Sequence, residues 1–345
     1  MSDLNENGGV LILRGEEIVS LLTGRESELM ERAQTAYETH ARQASSLPHS
    51  SFLTFPEQPR NRIIALPAYL GAGFEIAGMK WVSSFPQNLE SGMDRASAVM
   101  ILNSARTGRP QAVLEGSIIS AKRTAASAVL AAKHLVSREV DGVGMIGCGL
   151  INFEIARFLL TQFPSLKTFH LYDRSPADAA RFAEKCRALS GRVDVVLREN
   201  AESALESSPL ISFATTATEP FIDSLDACRP GGVILHISLR DLTPQVILKC
   251  INVVDDADHV CRARTSVHLA EQLVGHRDFI KCALADITSG AAPWPENREQ
   301  ITVFSPFGLG VLDLAVGKYV YELARDRNIG TMIENFLPPR WSRRV

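Results

Sequence analysis

The sequence lacks the features that mark secreted, membrane-spanning and nucleic-acid-binding proteins. Its six cysteines all lie at or after position 148 and form no Cys-x-x-Cys pair. This argues against a disulfide scaffold and a zinc site and favours buried, reduced thiols. No stretch reaches the ~18 uncharged apolar residues of a membrane helix, and residues 1–9 lack a basic and apolar signal segment. The net charge of −3 comes without a long basic run. We therefore expect a cytoplasmic protein that holds no metal and binds neither nucleic acid nor membranes.

The pattern along the chain predicts two domains of different architecture. Hydrophobic residues make up 46% and charged residues 22%, which is ordinary for a globular protein. Residues 10–135 contain strands that adjoin without intervening helices, which is typical of a mixed or antiparallel sheet. Residues 136–307 alternate strand and helix, which is typical of a doubly wound parallel (Rossmann) sheet. We predict an α/β protein: an α+β domain of 10–135 with 308–345, and a Rossmann domain of 136–307.

Local sequence predicts the individual elements. β-branched and aromatic residues between Gly and Pro breaks favour strands. The predicted strands are 51–55, 63–68, 78–83, 96–103, 111–115, 142–146, 168–172, 193–197, 209–214, 232–237, 251–255 and 301–304. The main predicted helices are 16–22, 26–43, 117–135 with Ser117 or Ser120 as its N-cap, and 308–327, which is expected to pack on the first domain.

A glycine turn follows the strand 142–146. Gly147 permits the tight turn, and Gly149 lets a phosphate approach the backbone at the start of a helix that contains Leu150 and Ile151. Amides at a helix start have no internal partner, and the helix dipole adds positive potential. Asn152 stands where a third Gly or Ala is usual. The turn predicts a site for a dinucleotide pyrophosphate; the alternative is a glycine turn that binds nothing.

An acid ends the next predicted strand. Asp173 lies 26 residues after Gly147 (173 − 147), close to the ~20 expected for a carboxylate that binds the adenosine ribose. Such a carboxylate repels a 2′-phosphate, so we expect NAD rather than NADP. Arg174 is the counter-argument, because it could bind that phosphate.

Three polar residues in apolar surroundings are candidates for chemistry. Lys80 lies within the strand 78–83 and is either a functional cation or a solvated lysine at a sheet edge. Arg123, in the alanine-rich helix, can bind a substrate carboxylate or pair with a carboxylate of the protein. Asp241 is either a catalytic group or a helix N-cap.

Four features together resemble the ornithine cyclodeaminase/mu-crystallin family over about residues 10–327. They are Lys80 in its strand, the turn 103–110, the run 114–128 with Arg123, and the turn from Gly147 to Gly149. The resemblance implies a homodimeric NAD-dependent oxidoreductase acting on a C–N bond, with a discontinuous substrate domain and a central nicotinamide-binding domain. Segments 83–88, 95–103 and 236–242 resemble the branch that makes 2,3-diaminopropionate for siderophores and peptide antibiotics.

The resemblance also assigns roles. Lys80 and Asp241 are implied as catalytic: Lys80 contacts the substrate carboxylate, and Asp241 handles the amine proton and the hydrolytic water. Arg123 is implied to bind the substrate carboxylate beside the nicotinamide. The other residues implied to line the cofactor or the substrate are Thr215, Thr216, His236, Ser238, Phe307 and Gly308.

The sequence departs from ornithine-type members near the substrate. Segment 47–55 lacks their arginine, and Arg95 replaces a small hydroxyl residue. We infer that Arg95 lines one pocket with Lys80 and Arg123, where it repels the distal amine of ornithine and favours extra carboxylates. The expected substrate is N-(2-amino-2-carboxyethyl)-L-glutamate. Ornithine cyclisation, alanine dehydrogenation, ketimine reduction and dinucleotide binding without turnover are the alternatives.

Overall fold

Two separate sheets organise the chain. A computed structural model describes residues 8–294 and 299–338. Residues 8–25, 39–123 and 309–338 form a first unit, and the rest form a second unit.

The helices and strands are numbered in chain order. The strands are β1 Val10–Leu13, β2 Ser45–Ser46, β3 Ser51–Phe55, β4 Gln58–Leu70, β5 Ile76–Ser84, β6 Ala96–Ser104, β7 Pro110–Glu115, β8 Gly142–Ile146, β9 Thr168–Tyr172, β10 Asp194–Leu197, β11 Leu210–Phe213, β12 Val233–His236, β13 Ile251–Val254, β14 Ile280–Ala283, β15 Thr302–Ser305 and β16 Thr331–Ile333. The α-helices are α1 Gly15–Leu22, α2 Glu26–Ala41, α3 Ser117–Leu135, α4 Leu150–Gln162, α5 Pro176–Leu189, α6 Ala201–Leu205, α7 Pro244–Leu248, α8 Ala257–Val260, α9 Ser266–Val274, α10 Leu284–Thr288 and α11 Gly310–Arg327, and a 3-10 helix spans Pro86–Ser91.

The first unit is built on a mixed sheet. Its strand order is β16-β1-β7-β6-β5-β4-β2, with β3 paired to β4. The pair β1–β7 is parallel, and the other pairs are antiparallel. As predicted, the last long helix, α11, packs on this sheet, where it contacts β4, β5 and β6. The strand β5, which carries Lys80, therefore lies inside the sheet and not at an edge.

The N-terminus of α3 is stabilised by an acid that the sequence prediction missed. The carboxylate of Glu115 accepts hydrogen bonds from the amides of Ser117 (2.7 Å) and Ile118 (3.1 Å). Because a carboxylate satisfies orphan amides and complements the helix dipole, Glu115 takes the capping role predicted for Ser117 or Ser120. The alanines that follow have high helix propensity and continue the helix to Leu135.

The second unit is a parallel sheet in the predicted doubly wound arrangement. Its strand order is β10-β9-β8-β11-β12-β15-β13-β14, and every pair is parallel. All residues of β8, β11, β12 and β15 are buried, as expected for strands covered on both faces. The winding reverses between β8 and β11, where such folds bind ligands beyond the carboxyl ends of the strands.

The predicted domain bounds differ from the compact units of the structure at two helical segments. Residues 26–38 and 124–135 were assigned to the first domain, but they group with the second unit. A buried hydrogen bond of 2.6 Å joins the Tyr37 and Ser127 hydroxyls across these segments. The functional domain assignment stays a prediction.

The predicted strands all coincide with observed strands, but four short strands were missed. They are β1, β2, β14 and β16, each of two to four residues. Short segments carry too little periodicity to be recognised, and three of them (β16, β2 and β14) lie at sheet ends, where partner strands decide pairing.

The structure also bears on the cysteines, metals and membranes. All six cysteines are free, but only Cys186, Cys250 and Cys261 are buried. The expectation of six buried thiols is therefore wrong for Cys148, Cys228 and Cys282, which are partly exposed. Within residues 8–294 and 299–338, no three His, Cys, Asp or Glu residues form a group that could hold a metal ion. No helix in that same part of the chain has the length and apolar character needed to cross a bilayer.

Gly78 tests the packing of the first sheet. A Cβ at this position of β5 would overlap the backbone oxygen of Ile101 and approach Leu314 Cδ2 to 3.0 Å. Because the ladder fixes that oxygen, Gly78→Ala is expected to lower the free energy of unfolding by about 1–3 kcal/mol, the usual cost of overpacking. Denaturant unfolding measures the change. Gly191→Ala is the matched control, because nothing lies within 4 Å of a Cβ there. Equal stability of the two variants would contradict the close contact between Gly78 and the backbone oxygen of Ile101.

Candidate active site

The glycine turn after β8 is shaped for a phosphate. Gly147 has φ 94°, and a Cβ there would lie 2.5 Å from the backbone oxygen of Ala214, so only glycine fits. At Gly149 a Cβ would meet nothing within 4 Å, and no side chain caps α4. Leu150 is exposed and Ile151 half-buried at the start of that helix. The open space and uncapped helix start fit a dinucleotide pyrophosphate.

Asn152, the departure in the glycine pattern, holds the turn in place. Its side chain is fully buried and donates to the backbone oxygens of Ile146 (3.2 Å) and Gly147 (2.7 Å). Its own oxygen accepts from the Ser212 hydroxyl at 2.7 Å. A Gly or Ala here would remove the bonds to the Gly147 oxygen and the Ser212 hydroxyl, while the Ile146 oxygen would keep the amide of Ala214 at 3.0 Å. The sequence showed the departure but not this role.

Asp173 ties the end of β9 to the same turn. Its carboxylate accepts from the amides of Cys148 and Ser175, both at 2.8 Å. Each carboxylate oxygen has a second lone pair, so Asp173 can still accept from ribose hydroxyls. Arg174 is exposed. The placement of Asp173 at the strand end fits the ribose-binding role.

Asp241 lies in a buried polar cluster at the carboxyl edge of the second sheet. Thr215 Oγ1 donates to its Oδ1, and Ser238 Oγ donates to its Oδ2. His236 Nε2 lies 3.2 Å from both Oδ2 and the backbone nitrogen of Asp241, and His236 Nδ1 lies 3.2 Å from Ser305 Oγ. Thr215 follows the end of β11, and His236 ends the neighbouring strand β12, which explains how residues far apart in sequence meet.

The cluster keeps Asp241 ionised. Burial alone would raise the pKa of Asp241, but the hydrogen bond and charge of His236, with hydrogen bonds from Ser238 and Thr215, outweigh it and hold the pKa below its usual range.

The N-cap of α7 is Thr243, so the alternative of Asp241 as an N-cap is wrong. Leu239, between the cluster members, has φ 67°, a conformation that costs a non-glycine residue free energy and is typical of functional loops. Thr216 is exposed beside the cluster.

Asp255, which the sequence analysis missed, holds the loop of Phe307 and Gly308. Its buried carboxylate accepts from the amides of Phe307 (2.8 Å) and Gly308 (2.7 Å). Burial raises the pKa of Asp255 to about 6, although these amides and that of Asp256 oppose the shift. The available signal was an acid at the end of an apolar strand.

Lys80 lies in a buried cluster of the first unit. It is 3% exposed, so the alternative of a solvated edge lysine is wrong. Its Nζ donates to Asp313 Oδ1 and to Ser120 Oγ, both at 2.9 Å. Arg123 Nε donates to the same Asp313 Oδ1 at 2.9 Å. Arg123 thus pairs with a protein carboxylate, but through Nε alone, which leaves its terminal nitrogens for another acceptor.

The cluster carries more positive than negative charge. One carboxylate faces two cations, and Asp313 Oδ2 is buried without a hydrogen-bond partner. Burial and the charge of Arg123 lower the pKa of Lys80 to about 8, against the opposing effect of Asp313. The cluster therefore favours an anionic ligand. Asp313 was missed, although an acid among the apolar residues in the first two turns of α11 was a usable signal.

Arg95 does not contact this cluster. Its Nε donates to Ser84 Oγ at 3.3 Å. Ser84 lies four residues from Lys80 along β5. That spacing corresponds to ~13 Å in a strand. A single pocket for Arg95, Lys80 and Arg123 stays a prediction.

The second unit has the fold and the glycine turn of a dinucleotide-binding protein. The chain matches the model of the ornithine cyclodeaminase/mu-crystallin family over residues 16–328, and it belongs to that family.

Relatives and solved structures agree with this assignment. The chain is 33% identical to N-((2S)-2-amino-2-carboxyethyl)-L-glutamate dehydrogenase of Staphylococcus aureus (strain NCTC 8325 / PS 47) over 279 residues, 79% of this chain and 82% of the relative. The structure of Thermococcus litoralis Delta(1)-pyrroline-2-carboxylate reductase with NADH and L-proline is similar, with a TM-score of 0.87 and 26% identity, covering 93% and 99% of the two chains. An archaeal alanine dehydrogenase dimer with bound NAD has a TM-score of 0.85 and 28% identity, covering 95% and 100%.

Asp313 is expected to keep Lys80 protonated. Without its charge the pKa of Lys80 falls further below about 8, because burial and Arg123 then act unopposed. An opposite charge at this distance shifts a pKa by about 1–3. NMR titration of the labelled lysine ammonium should show Asp313→Asn titrating lower by that order. Asp326→Asn, an exposed acid on the same helix, is the control. A folded Asp313→Asn protein with an unshifted Lys80 would refute the role.

Proposed function

We propose that the protein oxidises and hydrolyses N-(2-amino-2-carboxyethyl)-L-glutamate to 2,3-diaminopropionate and 2-oxoglutarate. The chain is an oxidoreductase that acts on the C–N bond of amino acids or imines, with NAD as cofactor. The observation that carries the finer proposal is the buried excess of positive charge formed by Lys80 and Arg123 around Asp313. A substrate with three carboxylates and two amines has a net negative charge and offsets that excess, whereas alanine is neutral and ornithine is positive. The 33% identical relative from Staphylococcus aureus supports the same substrate.

The residues of the chain position the substrate and move its proton. The turn of Gly147 and Gly149 and the carboxylate of Asp173 would hold NAD, which would supply the hydride acceptor for the carbon next to the secondary amine. Arg123 offers its free terminal nitrogens to a substrate carboxylate, and Lys80 offers a positive charge, so the carboxylate end of the substrate is held in a fixed position. Asp241, kept ionised by its neighbours, accepts the amine proton as the C–N double bond forms.

Asp241 then serves the hydrolytic half of the reaction. Its carboxylate orients water toward the carbon of the C–N double bond. Addition of water and cleavage of the C–N bond leave the amine on 2,3-diaminopropionate and the carbonyl on 2-oxoglutarate. Thr215 and Ser238 fix the orientation of both carboxylate oxygens during these steps.

We also propose a homodimer. Phe52 and Leu53 on β3 and Trp81 on β5 are exposed apolar side chains of the first sheet, and large exposed apolar side chains are typical of interfaces. The archaeal alanine dehydrogenase structure is that of a dimer. A cytoplasmic location and a role in siderophore or peptide biosynthesis stay predictions from the sequence.

A substrate panel tests the proposed reaction. NADH formation should be efficient with the glutamate conjugate and poor with ornithine and alanine, because alanine carries no net charge and ornithine a positive one, so neither offsets the excess positive charge of the cluster. NAD should be preferred to NADP, since Asp173 repels a 2′-phosphate. Efficient conversion of ornithine to proline and ammonia would reject the assignment, and efficient oxidation of alanine would favour the function of the archaeal relative.

Replacing the carboxylate of Asp241 tests its role directly. Asp241→Asn is expected to keep the fold and NAD affinity but to lower kcat about 10²–10⁴-fold, because a carboxamide cannot accept the proton. Stopped-flow measurement of hydride transfer, alongside NAD titration, separates the effects. Asp223→Asn, at an exposed site of the same unit, is the control. Parent-like turnover by Asp241→Asn would remove Asp241 from the mechanism.

A further inference from the structure

Two arginines on the first sheet form a cationic pair that the proposed reaction does not yet use. Burial lowers the pKa of Arg95, and the charge of nearby Arg62 lowers it further. Arg62 Nε is buried and has no hydrogen-bond partner. The Nε of Arg95 is bonded to Ser84 Oγ, a neutral group. Within residues 8–294 and 299–338, no carboxylate forms an ion pair with either arginine.

Such a pair is costly unless an anion joins it. Two like charges repel, and partial burial removes the water that would screen them. The planar guanidinium has paired donors that match a carboxylate, so two adjacent arginines are well suited to bind one. The charge and the donor groups of the two arginines therefore point to a bound anion that is not part of the protein.

Arg62 lies on the same sheet face as Lys80, and Arg95 is joined to that face by its hydrogen bond to Ser84. In the β4–β5 ladder, Arg62 is opposite Ser84, and Leu66 is opposite Lys80. Cross-strand partners point to one face, and residues two or four apart share it. Arg62 and Ser84 are thus on the Lys80 face, about 13 Å from Lys80 along the strand. The long arginine side chains shorten this separation.

We propose that Arg62 and Arg95 form an anion subsite for a second carboxylate of the substrate, while Lys80 and Arg123 bind the first. The identity of the substrate rests on the proposed function; the subsite itself rests on the unpaired arginines. This pair would then determine specificity, because an amino acid with one carboxylate leaves it empty. It also supplies positive charge to a sheet whose segment 47–55 contains no arginine.

Dicarboxylate binding tests the subsite without turnover. The probes are 2-oxoglutarate and, as its single-carboxylate counterpart, pyruvate, titrated calorimetrically into the enzyme with bound NADH. Arg62→Gln and Arg95→Gln are each expected to weaken 2-oxoglutarate binding about 10–150-fold, the loss of one charge-assisted contact, and to leave pyruvate and NADH binding unchanged. Arg60→Gln, an exposed arginine on the same strand, is the matched control.

Each outcome is decisive. Equal weakening of both probes, or no weakening, overturns the subsite. If one variant does not fold, the other variant tests the subsite. Arg95→Lys keeps the positive charge but lacks the paired donors of the planar guanidinium, so it should recover part of the affinity for 2-oxoglutarate. With the glutamate conjugate, the same variants should raise KM with little change in kcat. If the parent does not turn over the conjugate but its 2-oxoglutarate binding still depends on the arginines, the reaction assignment fails and the subsite stands.

Discussion

One carboxylate shared by two cations is the interaction on which the chemistry of the first unit depends. Asp313 Oδ1 accepts from both Lys80 and Arg123, so it fixes their side chains and lowers the cost of burying them. It does not neutralise them both. The remaining positive charge is buried, and a ligand carboxylate gains more from a contact with a buried charge than from one in solvent. The same residue thus stabilises the fold and leaves a charge for the substrate.

A second theme is the use of acids to fix backbone amides near the candidate ligand-binding segments. Asp173 binds the amides of Cys148 and Ser175, Asp255 those of Phe307 and Gly308, and Glu115 those at the start of α3. Charge-assisted bonds of this kind are short and directional. They fix the backbone amides of these segments in one position.

The sequence predicted the parts of the molecule that local patterns control. The doubly wound sheet, the mixed sheet, the helix Ser117–Leu135 and the glycine turn follow from spacing and composition. The partners of Lys80 and Arg123 could not be predicted, because Asp313 is 233 residues from Lys80 and 190 from Arg123. The same holds for Asp255 and Phe307, 52 residues apart. Such contacts depend on how strands and helices pack, and a single sequence does not record that. Arg62 was overlooked because an arginine in a strand is usually solvated.

Asn152 has a consequence for the thermodynamics of cofactor binding. A glycine-rich turn is intrinsically mobile, because glycine loses more conformational freedom on ordering than any other residue. In this chain the side-chain amide of Asn152 donates hydrogen bonds to the backbone oxygens of Ile146 and Gly147 and so holds the turn in place. Much of the ordering entropy of the turn is therefore lost when the chain folds, not when the dinucleotide arrives. A preorganised turn of this kind lets a larger share of the phosphate contacts appear as affinity.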